Sequence, residues 1–213
     1  MRLLRRLSTC SLTLCRLAFC GLLGCCLAAS ALAGPEDKPQ AKPAAGASED
    51  AMMAEYMKMA SPGPNHERLK QFAGSWKTVT KGFMAPGEPQ VSEGTAEASM
   101  ILDGRYLRED VNSTWMGAPF HGFGLTGYDN MKQTYVGTWA DTMGTGLLAT
   151  TGTADPSGKV LTSTATYTDP VTKQSSVMKM VNKVVDANKH ILSIYDVRDG
   201  KETLTMEITY TRK

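Results

Sequence analysis

The chain has 213 residues, 23 Lys and Arg against 21 Asp and Glu, five cysteines, and 42% hydrophobic residues. All five cysteines and four of the arginines lie in residues 1–33. If that segment is removed, 19 basic residues remain against 21 acidic ones, a net charge of −2. That excludes disulfides, thiolate chemistry and the basic surface that nucleic acid requires.

The leader comes first. Arg2, Arg5, Arg6 and Arg16 precede the apolar run LAFCGLLGCCLAASALA (17–33), which ends in Ala-Leu-Ala before Gly34. A basic start, an apolar middle and an A-x-A end predict a secretory signal peptide cut after Ala33, and hence a periplasmic or secreted product. Two alternatives remain: a membrane anchor, since the run reaches the short end of the about 17–25 residues a span needs, and lipidation at Cys25, because Leu22-Leu23-Gly24-Cys25 loosely resembles a bacterial lipobox. Any membrane contact is expected only through this segment.

Residues 34–50 (GPEDKPQAKPAAGASED) hold no large apolar side chain and predict a flexible linker. In 51–59, Met52, Met53, Tyr56, Met57 and Met59 fall mostly on one face, which predicts a short amphipathic helix that Ser61-Pro62-Gly63-Pro64 ends. A second short helix is expected from His66 to Phe72, capped by Asn65. Together, 51–72 read as a lid or plug, with the Met-rich helix cast in that role. Met52, Met53, Met57 and Met59 would suit Cu(I) as soft thioether ligands, but they are read instead as the gap-filling contacts of a docked helix, and no metal is assigned.

From Trp76 the apolar period becomes two, and turn signals recur about every 8–12 residues. PGEP (86–89), DG (103–104), MGAP (116–119), DPSG (155–158) and RDG (198–200) are among nine turns that separate ten strands. Short links imply an antiparallel up-and-down meander, and ten strands escape exposed edges best by closing into a barrel over 73–213. The fold class is therefore all-β, with one or two short helices in front. Within it GFGLTG (122–127) matches G-x-G-x-x-G, but no helix follows and no βαβ unit encloses it, so no dinucleotide cofactor is implied. Its glycines are expected to let the sheet coil, with aromatic neighbours such as Phe123, Tyr135 and Trp139 covering bare backbone.

The runs GLTGYDNMKQTYVGTWADTMGTG (124–146), MMAEYMKMASPGPNHERLKQFAGSW (52–76) and MEITYTRK (206–213) resemble a bacterial family, the domain of unknown function 1579 family. That family is grouped with the calycin-like barrels, among them lipocalins and fatty-acid-binding proteins. The resemblance implies a calycin-like barrel and a tendency toward ligand binding, with no reaction attached. Gly74-Ser75-Trp76 is similar to the G-x-W of the first lipocalin strand, and Arg212 is placed like the arginine that packs across that tryptophan. The sequence departs from disulfide-bearing lipocalins in its cysteines and shows no haem-ligand motif.

The expected interior therefore gathers Trp76, Tyr106, Trp115, His121, Tyr128, Trp139 and Tyr210 as candidates for contact with an apolar small molecule, with Trp76 and Arg212 closing the barrel through a cation–π contact. His121 shares parity with Phe123 and Leu125, which predicts an inward histidine; with a tyrosine it is the best pair for a metal-independent isomerase or cyclase. A third possibility is a solid-cored structural or interaction module. No H-x-H, H-E-x-x-H or G-x-S-x-G spacing occurs, so no metal, cofactor or hydrolytic triad is assigned. Glu109 and Asp110 are adjacent on a strand and point opposite ways, so they form no carboxylate pair. The sequon Asn112-Ser113-Thr114 is read as unused. The partner state of the chain is not legible.

Overall fold

A computed structural model describes residues 48–83, 87–170 and 172–213; the leader and most of the linker lie outside the described residues. Two short helices and a 3₁₀ turn precede ten strands: α1 (Glu49–Ala60), α2 (Pro64–Glu67), the turn Arg68–Phe72, then β1 (Gly74–Gly82), β2 (Gln90–Ile101), β3 (Tyr106–Trp115), β4 (Ala118–Asp129) and β5 (Thr134–Asp141). The second half holds β6 (Leu148–Ala154), β7 (Val160–Thr168), β8 (Ser175–Asp186), β9 (Lys189–Arg198) and β10 (Lys201–Arg212). Each strand pairs antiparallel with its sequence neighbours, and β1 also pairs with β10, so the sheet closes into the expected ten-stranded barrel.

The helices start earlier than the apolar spacing predicts. Ser48 caps α1, its hydroxyl accepting from Ala51 N–H at 3.3 Å, and Glu49 and Asp50 favour the positive end of the helix dipole. The end of the expected linker is therefore helical. Asn65 is not the cap of α2. Pro64 presets the first turn two residues sooner, and His66 Nδ1 accepts from Gly63 N–H at 3.0 Å.

Register decides what faces inward. Trp76, Thr78 and Thr80 of β1 pair with Arg212, Tyr210 and Ile208 of β10 on one side and with Ala96, Gly94 and Ser92 of β2 on the other. The inward row continues through Leu107, Glu109, Val111 and Ser113 on β3 to Thr126, Gly124, Gly122 and Phe120 on β4. Trp139 of β5 reaches over two of those glycines: a Cβ on Gly122 would lie 2.2 Å from its ring. Gly122 is thus required by close approach, as a bare strand residue under an aromatic should be.

One end of the barrel is solid. Leu69 and Phe72, from the segment Pro64–Phe72, pack against Leu107 and Tyr135, and Trp76, Ala96, Val111 and Tyr210 form the layer beside them. Trp76 is 1% exposed and donates from Nε1 to Phe72 O at 3.0 Å. The Arg212 guanidinium lies 4.2 Å from the Trp76 ring centroid and donates to Ala73 O at 3.1 Å and Ala187 O at 3.0 Å. By contrast, α1 has no buried residue. Its end is tied to the same side of the barrel by Arg105 Nε, donating to Ala60 O at 3.1 Å, and Asn130 Nδ2, donating to Met59 O at 2.8 Å.

Candidate functional site

Above the solid end the lumen is hollow. A cavity of about 1160 Å³ runs to the opposite end, where β3, β7 and β9 finish. It is hollow because the inward rows there carry small side chains, among them Thr80, Ser92, Ser113, Gly137, Thr150 and Ser163. Phe120, Leu161, Met178, Met180, Leu192 and Ile194 supply an apolar wall.

The floor is where the chemistry concentrates. Tyr210, 2% exposed, stacks on His190 with ring centroids 4.1 Å apart and planes 16° apart. His190 in turn meets Trp76 edge-on at 4.6 Å and Phe72 at 5.3 Å. Its Nδ1 lies 3.0 Å from Asn182 Oδ1. An amide oxygen only accepts, so the ring hydrogen sits on Nδ1 and Nε2 is a bare acceptor. Burial, with the nearby Arg212 charge adding, pushes the His190 pKa down to about 4, so the ring is neutral at pH 7.

Glu109 lies in the same group. Burial pushes its carboxyl up to about 7; a hydrogen bond with Tyr210 opposes the shift, and the like charge of Asp110 adds to it. The Tyr210 hydroxyl is held well above its usual range, chiefly by burial and then by the Glu109 charge. Thr78 and Tyr210 are cross-strand partners, as are Tyr210 and His190. Thr78 Oγ1 and His190 Nε2 are both buried and have no hydrogen-bond partner among the described residues. Buried polar atoms are rarely left so.

The mouth carries a second polar group. Arg198 donates to Asp196 and to Asp169, each at 2.6 Å, and Tyr167 donates to Asp196 at 3.1 Å. Deeper on the wall, Trp139 Nε1 donates to Asp141 Oδ2 at 2.8 Å.

The expected interior residues divide three ways. Trp115, Trp139 and Tyr210 line the cavity. Trp76 lies beneath its floor, and Tyr128 packs in the solid end against Tyr135 at 5.0 Å. Tyr106 and His121 are corrections, for both are exposed on the outer face. Tyr106, 37% exposed, covers Gly127 from outside. His121 shares its face with Phe123, as read from parity, but that face is outward: the inward row of β4 is the glycine row, left bare for Trp139, and Phe123 instead lies under the Arg108 guanidinium at 5.0 Å.

Glu109 is the buried ionisable group of the cavity floor that motif and spacing do not single out. It does point away from Asp110, which stays outside and accepts from Arg108 Nε at 2.8 Å. Its signal was parity: Leu107, Glu109 and Val111 share the inward row, while Arg108, Asp110 and Asn112 share the outer one. His190, Asn182 and Thr78 carried no comparable signal. Among the described residues there is no cluster of three or more His, Cys, Asp or Glu able to hold a metal ion.

Comparison with known proteins supports the fold and adds no chemistry. A family model described as "Protein of unknown function (DUF1579)" matches residues 61–212. No curated protein matches the chain. The crystal structure of Rv2717c from M. tuberculosis is 14% identical, with a TM-score of 0.54 over 72% of this chain and 99% of that one. A redesigned β-barrel is 12% identical, with a TM-score of 0.37 over 72% of this chain and 99% of that one. The structure of EF1p2_mFAP2b bound to DFHBI is 11% identical, with a TM-score of 0.39 over 70% of this chain and 98% of that one. The likeness to the first is one of fold alone.

Proposed function

The chain belongs to the DUF1579 family of proteins of unknown function, and from the hollow lumen of its barrel we propose that it binds one small, largely apolar molecule. The observation that carries this reading is the pairing of an apolar wall with a polar floor in one concavity. Ligand pockets of about 300–1,000 Å³ have this composition, mostly apolar with a few convergent polar groups, and the lumen, at about 1160 Å³, is slightly larger than that range. A solid-cored module has no use for such a space, and the isomerase reading loses its histidine to the outer face. In the same proposal residues 1–33 serve as a cleaved leader and the barrel works in the periplasm or outside the cell.

Native mass spectrometry of protein recovered from the periplasm without detergent tests both parts. The expected result is a polypeptide beginning at Gly34 with an added mass that organic extraction removes. Ser163→Phe, which fills the lumen from an inward position, should keep the barrel's circular dichroism and lose the added mass together with the uptake of a fluorescent apolar probe. A wild-type protein that takes up neither would sink the binding reading.

A further inference from the structure

We infer that the molecule taken up by the lumen is an amine, its protonated head held on the floor by the Glu109 carboxylate and its apolar body laid along the wall. This rests on the binding reading above and names the chemistry of the ligand.

Three independent features converge on it. First, the groups on the floor that lack partners are suited to a donor. Thr78 Oγ1 and His190 Nε2 have no partner among the described residues, both residues are more than nine-tenths buried, and both line the cavity. With its hydrogen on Nδ1, His190 can only accept at Nε2, and the Thr78 hydroxyl can accept as well. An ammonium has three donors and no acceptor. Glu109, Thr78 and His190 offer one acceptor each, and all three adjoin Tyr210: Thr78 and His190 are its cross-strand partners, and the Glu109 charge acts on its hydroxyl.

Second, the lumen is acidic. Its lining carries the carboxylates Glu109, Asp141, Asp169 and Asp196 and, among the described residues, a single cation, Arg198. That arginine sits at the mouth and is already engaged by Asp169 and Asp196. No lysine lines the cavity among the described residues. An anionic head therefore meets no available positive charge on the way down.

Third, an indole borders the carboxylate. Glu109, Gly124 and Trp139 are successive partners across β3, β4 and β5. Because Gly124 has no side chain, the Trp139 ring lies over it, 2.9 Å from where a Cβ would be. A cation held beside Glu109 would gain from contact with the face of that ring.

The test compares octylamine, octanol and octanoate, equal in chain length and different only in the head. Quenching of tryptophan fluorescence, with Trp139 and Trp115 in the cavity, reads their affinities. At about pH 8 octylamine should bind at least about tenfold more tightly than octanol, the size of one charge-assisted hydrogen bond, and octanoate more weakly than either. Glu109→Gln should abolish the amine preference, bringing the affinity for octylamine down to that for octanol, while the circular dichroism of the barrel stays that of wild type. The affinity for octylamine should also rise from about pH 6 to about pH 8 as Glu109 loses its proton, while that for octanol stays level. The titratable groups around Glu109 are Tyr210 on β10, His190 stacked on it, and Asp110 on its own strand; its partners on β2 and β4 are Ala98 and Gly124, which do not titrate. Equal affinities for amine and alcohol, or a preference for octanoate, would overturn the amine inference while sustaining a binding lumen. Failure of all three to bind, together with no uptake of other apolar probes, would overturn both.

Discussion

Glu109 and His190 carry opposite shifts, and the two act against each other on stability. Glu109 rises from 4.5 to about 7 on folding, so between those values the folded chain holds the extra proton. Its contribution is complete below about 4.5 and is lost as pH rises through 7. His190 falls from 6.5 to about 4, so the unfolded chain holds the extra proton; its contribution is complete above 6.5 and is lost as pH falls through 4. Each shift corresponds to about 3 kcal/mol. Their windows overlap between about pH 4.5 and 6.5, where the two slopes nearly cancel. Glu109→Gln should therefore unmask the histidine: urea titrations should show stability rising by about 3 kcal/mol from pH 4 to 6.5, and a variant more stable than wild type at pH 8. A variant whose pH profile parallels that of wild type would show that Glu109 titrates normally. At this scale the sequence was only partly legible. Glu109 could be read from the row of Leu107 and Val111, whereas His121 misled because its apolar neighbours Phe123 and Leu125 belong to the outer row, while the inward row between Phe120 and Tyr128 is only Gly122, Gly124 and Thr126.

The two helical segments look alike in sequence and differ in what they do. Both have apolar residues at helical spacing, but Leu69 and Phe72 are 1% and 5% exposed, whereas Met53, Tyr56 and Met57 are 60% exposed or more. The reason lies in how each joins the barrel. The segment Pro64–Phe72 runs directly into β1 through Ala73, so it has to cross the end of the barrel, and its side chains fall over Leu107 and Tyr135. No such constraint acts on α1, whose attachments are its last carbonyls, bonded by Arg105 and Asn130. Spacing predicted both helices and cast the Met-rich one as lid or plug, whereas it is Pro64–Phe72 that fills the barrel end and α1 that buries nothing. Truncation separates them. Leu69→Ala should cost about 2–5 kcal/mol, the range for a fully buried leucine. Met53→Pro, which breaks α1, should change the stability of the barrel by less than about 1 kcal/mol and leave probe uptake intact, since no buried contact is lost. Comparable losses from the two substitutions in urea unfolding would place α1 in the core.

Closure joins the first strand to the last, and that union is the feature of the whole molecule most legible beforehand: ten short strands with tight links leave two edges, and only their pairing hides both. The hollow lumen was not legible, because it depends on which parity faces in, and a one-residue slip exchanges threonine and serine rows for lysine and valine ones. At the seam, Trp76 pairs with Arg212, whose guanidinium covers the indole and satisfies the carbonyls of Ala73 and Ala187. Gly74 stands under that guanidinium at φ +137°, where any Cβ would meet Nη1 at 2.1 Å. Arg212→Met keeps much of the side-chain volume but removes the cation and the donor to the part-buried Ala73 carbonyl, leaving the exposed Ala187 carbonyl to water, which should cost about 1–3 kcal/mol. The partners are 139 residues apart for Ala73 and Arg212, so the loop they close is almost the whole barrel, and its entropy is offset only when the other pairs have formed. The seam should accordingly form after the rate-limiting step. Arg212→Met should speed unfolding by most of its cost in stability and barely slow folding, visible as a shifted unfolding arm in a denaturant chevron. If the folding arm carries the loss instead, the ends of the chain meet early, and closure guides the barrel rather than completing it.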